Sequence, residues 1–156
     1  MEECNMRTCF LMGQHDAPDT VRGRLCAELE RLVRFEGVTE MIVGHRGNFD
    51  RMAIGAVQGI LRKKPELYGY LLVAYHDSLD SVGIPEFFEG HYYPIGLYEV
   101  PNRFAIVKAN EIVLGERDYL LTYCDREGGN MGRLLSKAKQ MEKKGHLRII
   151  NLACDE

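Results

Sequence analysis

Short apolar runs recur along the chain and are typical of buried strands. They are rich in branched and aromatic side chains and are bounded by glycine or polar residues. Five such runs predict strands, at 7–12, 38–43, 68–75, 118–124 and 147–153. A shorter apolar run at 96–100 predicts a sixth strand.

Apolar residues at helical spacing fill most of the intervals between these runs. The first helix is predicted from one apolar stripe, which consists of Val21, Leu25, Leu29, Leu32 and Val33. Gly37 follows it where a left-handed residue usually ends a helix. The second helix is predicted from Asn48 to the break at Pro65 and the third over about 102–115, and a fourth follows the glycine pair at 128–129.

Strands that alternate with helices of this length predict βαβ units, and therefore a parallel sheet covered by helices on both faces. The expected fold class is α/β, a Rossmann-like, doubly wound and mainly parallel sheet. Residues 1–156 are expected to form one domain, because the chain has a typical single-domain length. The long mixed segment 76–95 is interpreted as a loop, with a lid or an oligomer contact as its candidate roles.

Composition removes several function classes. The net charge of −3 and the pI of about 6.0 disfavour nucleic acid and anionic membranes as partners, so an anion site must be built locally. No apolar run approaches 18 residues and the acidic start lacks a signal-peptide core, which predicts no membrane partner and a cytoplasmic location. Five widely spaced cysteines without a C-x-x-C pair disfavour disulfide and zinc frameworks.

Candidate chemistry lies in the loops that leave the predicted strands. Ligands of such sheets bind outside the carboxyl ends of the strands, so the loops at 13–18, 44–50, 76–80 and 125–132 are expected to meet at one rim. The segment "EGGNMGRLL" is a paired-glycine turn that leads into a helix, an arrangement that often holds a phosphate. It contains no nucleophilic Ser, Thr or Cys.

The loop after the second predicted strand reads "VGHRGNFDRM". Its two glycines permit close backbone approach to a ligand, and the amides of the next helix point to the same place. Asp50 is a candidate acceptor for ribose hydroxyls. The alternative is that Asn48 or Asp50 caps the helix while Arg46 is solvated.

The first loop supplies His15 and Asp16 directly after a strand. His15 is a candidate phosphate donor or acid/base, and the alternative is that Asp16 or Asp19 caps the next helix. A scattered set in and after the long loop has no regular ligand spacing, so neither a metal nor a cofactor is predicted. That set comprises His76, Asp77, Asp80 and His91.

These loops together resemble the SLOG superfamily, which joins the lonely-guy phosphoribohydrolases, the DNA-processing protein A family and the YpsA-like proteins. The closest likeness is to its small single-domain bacterial members. Their first loop, G-H-R-D-x-P, corresponds to residues 13–18, and their second, G-x-x-G-x-F-D-R-M, matches residues 44–52 throughout. The segment "YYPIGLYEVPNRFAI" at 92–106 resembles the family's segment before its third main helix.

The resemblance implies a Rossmann-like sheet, a nucleotide-derived ligand at the carboxyl rim and frequent homo-oligomers. The chain departs from the family at three positions. His15 stands for the first-loop arginine, and Ala109, before Asn110, stands for the arginine of the third-helix R-N pair. Leu135 stands for the glutamate of the phosphoribohydrolase motif P-G-G-x-G-T-x-x-E.

The expected function is therefore a SLOG-type domain that binds a nucleotide or nucleotide-derived ligand in a non-catalytic or regulatory role. One alternative is a nucleoside or nucleotide N-glycosidase or transferase that uses Asp16 or Asp50, and a weaker one is a nucleic-acid-associated protein. The predicted ligand-binding residues are Gly13, His15, Asp16, Gly44, Arg46, Gly47, Asn48, Asp50, Gly128, Gly129 and Asn130.

Overall fold

The computed structural model describes residues 6–75 and 81–154 and contains a six-stranded parallel sheet. The strands in chain order are β1 (Arg7–Leu11), β2 (Val38–Val43), β3 (Tyr68–Leu72), β4 (Gly90–Tyr92), β5 (Tyr119–Thr122) and β6 (Arg148–Asn151). The helices are α1 (Arg22–Phe35), α2 (Asn48–Lys63), α3 (Asn102–Leu114) and α4 (Gly129–Lys143). The predicted α/β class is confirmed.

The order of strands across the sheet is β4-β3-β2-β1-β5-β6. The chain therefore adds strands outward from β1 in one direction through β4, and then returns to add β5 and β6 on the other side of β1. Phe10 at the centre of β1 is opposite Ile42 of β2 and Leu120 of β5. The strand order reverses between β1 and β5, which is where ligands bind in open α/β sheets.

The two faces of the sheet are covered by different helix pairs. One face buries alternate strand residues, including Cys9 and Leu11, beneath α1 and α2. The opposite face buries Phe10 and Leu120 beneath α3 and α4. Because side chains alternate along a strand, the continuous apolar runs supply both cores, which is why they lack a polar face.

The predicted helix boundaries agree closely with the structure. A short 3₁₀ turn at Asp19–Val21 leads into α1. The helix ends before Gly37, whose φ of 78° lies in the left-handed region that favours glycine. None of the described helices is long and apolar enough to cross a membrane.

The strand predicted at 96–100 is wrong. Gly96 has a φ of 88° and starts a 3₁₀ turn at Leu97–Glu99, which buries Leu97. The strand at this edge of the sheet is β4, which falls inside the segment predicted as a loop. β4 pairs with a neighbour on one side only, and all three of its residues are half-buried. Its sequence therefore lacks the continuous apolar run of a central strand.

Candidate functional site

A cavity of about 310 Å³ opens at the reversal of strand order, beyond the carboxyl ends of β1 and β5. The loop after β1, the loop after β5 and one side of α3 form most of its wall. The lining residues are Met12, Gly13, Gln14, His15, Arg46, Ile106, Asn110, Arg126, Gly128, Gly129, Asn130 and Met131. This lining contains two arginines and no Asp or Glu, so the cavity suits an anionic ligand.

The first turn of α4 presents free backbone donors to the cavity. The amides of Gly129, Asn130 and Met131 donate no hydrogen bond within the described part of the chain, and no side chain caps this helix. The first turn of α4 also carries no acidic residue. Uncapped amides combine with the positive end of the helix dipole to attract an anion.

Asn110 is a buried polar residue whose amide group has no partner. It lies on α3, is 5% exposed, and its side chain forms no hydrogen bond to any residue that the structure describes. It nevertheless lines this cavity and two smaller adjoining ones. The Asn110 amide is therefore available to hydrogen-bond a molecule in the cavity.

Arg126 connects the two loops that flank the strand reversal. Its Nη2 donates to Asp16 Oδ1 at 3.1 Å and to Oδ2 at 2.8 Å. Buried Gln14 holds the same corner: its Nε2 donates to Asp16 Oδ1 at 3.1 Å, and its Oε1 accepts the Asp125 amide at 2.9 Å. The Arg126 guanidinium holds the pKa of the Asp16 carboxyl below its ordinary value, so Asp16 is ionised near neutral pH.

Arg46 also lines the cavity and lies on the loop after β2. Its guanidinium lies over the ring of Tyr75, 5.2 Å from the centroid, which fixes the orientation of the charge. Met12, Ile106 and Met131 supply the apolar part of the wall. Methionine adapts to flat aromatic groups, so the cavity combines an apolar surface with cationic groups and free amides.

Internal packing explains three glycines of the first two loops, because a Cβ atom at each would overlap a neighbouring residue. The overlaps are Gly13 with Phe49, Gly44 with Asp50 and Gly47 with His15. The two loops also share hydrogen bonds, since the Asn48 amide donates to the His15 carbonyl at 2.9 Å. These glycines therefore hold the two loops in close contact.

Asp50 lies behind the loop after β2 and does not line the cavity. It is 1% exposed, and its Oδ2 accepts the Arg46 amide at 2.9 Å. Its Oδ1 has no hydrogen-bond partner of normal geometry among the described residues. Burial raises the pKa of Asp50 to about 6, and the nearby amides of Arg46 and Gly13 oppose that rise.

The structure brings six of the predicted ligand-binding residues to the cavity wall: Gly13, His15, Arg46, Gly128, Gly129 and Asn130. Gly44 borders a small adjoining cavity. The other four support the loops: Asp16 pairs with Arg126, Gly47 packs on His15, Asn48 donates to the Ala17 carbonyl and Asp50 lies behind Arg46.

Two of the three positions at which the chain departs from the SLOG pattern, Leu135 and Ala109, lie away from the cavity wall. Leu135 is 6% exposed and borders a groove beside β6. Ala109 is fully buried in the core beneath α3. Neither position supplies a carboxylate or a guanidinium to the cavity.

The sequence prediction missed three cavity residues with polar functional groups, Gln14, Asn110 and Arg126. Arg126 directly precedes the glycine pair, and a basic residue at that place is a usable signal for an anion site. Asn110 is a polar residue inside an otherwise apolar helical stripe, which is also visible in the sequence. Their convergence with Arg46 depends on the strand order.

The metal set considered from the sequence cannot be assembled from the described residues, because His76, Asp77 and Asp80 lie outside them. Within residues 6–75 and 81–154, no group of three His, Cys, Asp or Glu side chains is placed to hold a metal ion. Comparison of the sequence with models of known protein families and with curated proteins finds no match.

Proposed function

We propose that this protein is a SLOG-type domain that binds a nucleotide or nucleotide-derived metabolite at the carboxyl rim of the sheet, in a binding or regulatory role. The observation that carries the proposal is the unpaired amide of Asn110, which faces the same cavity as the uncapped amides of α4. Two independent sets of unsatisfied donors then point to one ligand position.

We propose a position in the cavity for each part of the ligand from the side chains and amides that line it. A phosphate binds the α4 amides and Arg126, where a guanidinium and a helix N-terminus act together. The base packs against Met12 and Ile106, and the Asn110 amide hydrogen-bonds a ribose hydroxyl or a base edge. His15 and Arg46 contact the remaining polar groups.

The same geometry supports binding over catalysis. N-glycosidic cleavage requires a carboxylate near the anomeric carbon, and the described cavity wall contains no Asp or Glu. Asp50 lies behind the loop, and Asp16 is already paired with Arg126 at the corner of the cavity. The N-glycosidase or transferase alternative rests on Asp16, which a rearrangement of that ion pair would expose.

The proposal is tested by titrating the protein with nucleoside 5′-monophosphates while thermal stability, heat of binding and free-base release are recorded. We expect at least one monophosphate to raise Tm, because a ligand that binds only the folded state stabilises it. Arg126→Gln should weaken that binding by about 10-fold or more, since charge-assisted hydrogen bonds to phosphate are lost.

Arg34→Gln is the matched control, because it makes the same chemical change on an exposed face of α1. It should leave the affinity unchanged. Release of free base that disappears in Asp16→Asn would support the enzyme alternative. Absence of binding by every monophosphate would overturn the proposal.

We also propose that two copies of the chain associate through an exposed apolar stripe on α3 and the turn before it. The stripe consists of Ile95, Tyr98, Phe104 and Val107, and Ile95 is 97% exposed. Arg103 and Glu111 lie four residues before and after Val107. Two antiparallel α3 helices related by a twofold axis at Val107 would therefore pair each Arg103 with the other copy's Glu111.

A further inference from the structure

Arg126 belongs to two sites at once. It lines the cavity beside the α4 amides, and its guanidinium is bound to both carboxylate oxygens of Asp16. Asp16 does not line the cavity and is about half exposed, as Arg126 is. One of the cavity's two arginines is therefore already paired with an acid of the protein.

The position of Asp16 is fixed by its surroundings. Gln14 is 3% exposed and holds Asp16 Oδ1 from one side, while its own oxygen is held by the Asp125 amide. Arg126 Nε also lies 3.5 Å from Asp125 Oδ1. The Arg126 guanidinium thus lies between the carboxylates of Asp16 and Asp125, which occupy it as a phosphate would.

We propose that Asp16 competes with the ligand's phosphate for Arg126, and that ligand binding transfers the guanidinium from Asp16 to the phosphate. This inference rests on the proposed function and describes how that site is regulated. The exchange is inexpensive, because an ion pair between half-exposed side chains contributes little net stability. The transfer releases Asp16 Oδ2 from Arg126 while Gln14 still holds Oδ1, so Oδ2 can accept a hydrogen bond from a hydroxyl of the same ligand.

The exchange affects phosphorylated and unphosphorylated ligands differently. An uncharged nucleoside cannot displace Asp16 from Arg126, so it meets a corner that is already neutralised. A phosphate replaces the carboxylate with an equal or larger charge and gains the α4 amides in addition. The competition therefore lowers the affinity for phosphorylated ligands and leaves the affinity for the uncharged nucleoside unchanged.

The first test measures the affinity for inorganic phosphate and for AMP by calorimetry, in the wild type and in Asp16→Asn. We expect the variant to bind both anions about 3- to 10-fold more tightly, because the competing carboxylate and its repulsion are removed. Glu30→Gln is the matched control: it removes one negative charge from an exposed ion pair on α1. It should leave both affinities within about a factor of two.

A double-mutant cycle attributes the effect to Arg126. In an Arg126→Gln background, Asp16→Asn should produce no gain in phosphate affinity, since the shared partner is absent. An equal gain in both backgrounds would identify a general charge effect and would overturn the exchange.

The second test follows the Asp16 carboxyl carbon by NMR during a pH titration, with and without saturating phosphate. Arg126 lowers the pKa of Asp16 in the free protein, and His15 contributes in the same direction. Asp125 and Tyr123 are the other titrating groups at this corner. We expect the Asp16 pKa to rise toward its ordinary value when phosphate binds Arg126. If the ion pair is purely structural, phosphate should leave the Asp16 pKa unchanged.

The outcomes separate this inference from the proposed function. Phosphate or AMP binding that is unchanged or weakened by Asp16→Asn overturns the competition while the binding function stands. Binding seen in Asp16→Asn but not in the wild type supports the competition in its strongest form. If neither protein binds inorganic phosphate or any nucleoside monophosphate, both proposals are overturned.

Discussion

Asp50 places a carboxyl group in the protein interior with one oxygen bonded and the other unpaired. Two neighbours accommodate this buried carboxylate. Gly44 has no side chain and leaves room for it, and the Arg46 amide donates a hydrogen bond to it. The group therefore fixes the loop that carries Arg46 into the cavity, at an electrostatic cost that depends on pH.

The pH dependence of this cost gives a prediction. The Asp50 pKa is about 6 in the folded protein and 3.8 in its ordinary state, so the folded protein binds the proton more tightly. Its contribution to stability is fully present below about pH 3.8 and is lost as pH rises through about 6, a change of about 3 kcal/mol.

Urea unfolding between pH 4 and pH 7.5 measures this change. The difference in unfolding free energy between the wild type and Asp50→Asn should move in favour of Asn as pH rises, by up to about 3 kcal/mol. Asp19→Asn, in a more exposed position, is the control. A difference that stays constant with pH would show that Asp50 titrates normally.

Asn110 and Arg126 show what residue types alone convey. Both are visible as exceptions in the sequence, a polar residue in an apolar stripe and a basic residue before a glycine pair. Which exceptions share a cavity depends on distances across the fold. His15 and Asp50 looked equivalent as loop residues, yet His15 lines the cavity and Asp50 lies behind it.

At the scale of elements, the glycine loops after β2 and β5 look alike in sequence but differ in structure. At the start of α2, the first helical amide is bound by the His15 carbonyl and Asp50 lies in the first turn. At the start of α4, the amides of Gly129, Asn130 and Met131 donate no hydrogen bond to the described residues, and the first helical turn contains no acidic residue. The loop after β5 is therefore the stronger candidate for an anion site, although the loop after β2 matches the SLOG pattern more fully.

Substituting alanine for Gly47 and for Gly128 should distinguish a glycine needed for packing from one needed for ligand binding. Gly47→Ala is expected to lower the unfolding free energy by about 1–3 kcal/mol, because its Cβ overlaps the backbone of His15. Gly128→Ala should change stability by less than about 1 kcal/mol, since its Cβ meets nothing within 4 Å and its backbone is extended.

The same pair should differ in the opposite sense when ligand binding is measured. Gly128 lines the cavity, so its added methyl group should weaken nucleoside monophosphate binding by about 10-fold or more. Calorimetric titration of the two variants at a temperature where both are folded makes the comparison. Full affinity in Gly128→Ala would show that the ligand does not bind at the α4 N-terminus.

The β4 prediction failed for a reason that applies to edge strands in general. Periodicity detects strands through burial, and β4 is half-buried because it pairs with β3 alone. The segment 96–100 has the apolar composition of a strand, but Gly96 adopts a left-handed conformation and turns the chain. The apolar composition of this segment reflects the burial of one side chain, Leu97, and not pairing with another strand.

At the scale of the whole molecule, α3 is apolar on two sides. One side packs on the sheet through Ala105 and Val113, and the opposite side exposes Phe104 and Val107. The exposed apolar side is left uncovered by the described residues, which supports the proposed α3–α3 contact between two copies. Because α3 also forms a cavity wall, such a contact would stiffen the site.

Charge reversal tests the proposed register of this contact. Arg103→Glu and Glu111→Arg should each weaken the dimer, because like charges then face one another across the twofold axis, and the double variant should restore it. Sedimentation velocity over a range of concentrations measures the association. Phe35→Asp, a change of an exposed apolar residue on α1, is the control and should have no effect. A monomeric wild type at every concentration would overturn the contact.

The alternation of apolar runs with helical periodicity determined the α/β class, the parallel sheet, the four helices and the gathering of loops at one rim. These follow from local patterns, since burial on both faces and a period of 3.6 residues are written into neighbouring positions. Only the tertiary structure decided that β5 returns to pair with β1, which joins the loops at 13–16 and 126–131 into one cavity. Strand order depends on packing between distant segments, so Asn110, Arg126 and Asp16 acquire their relation to one another only in the folded chain.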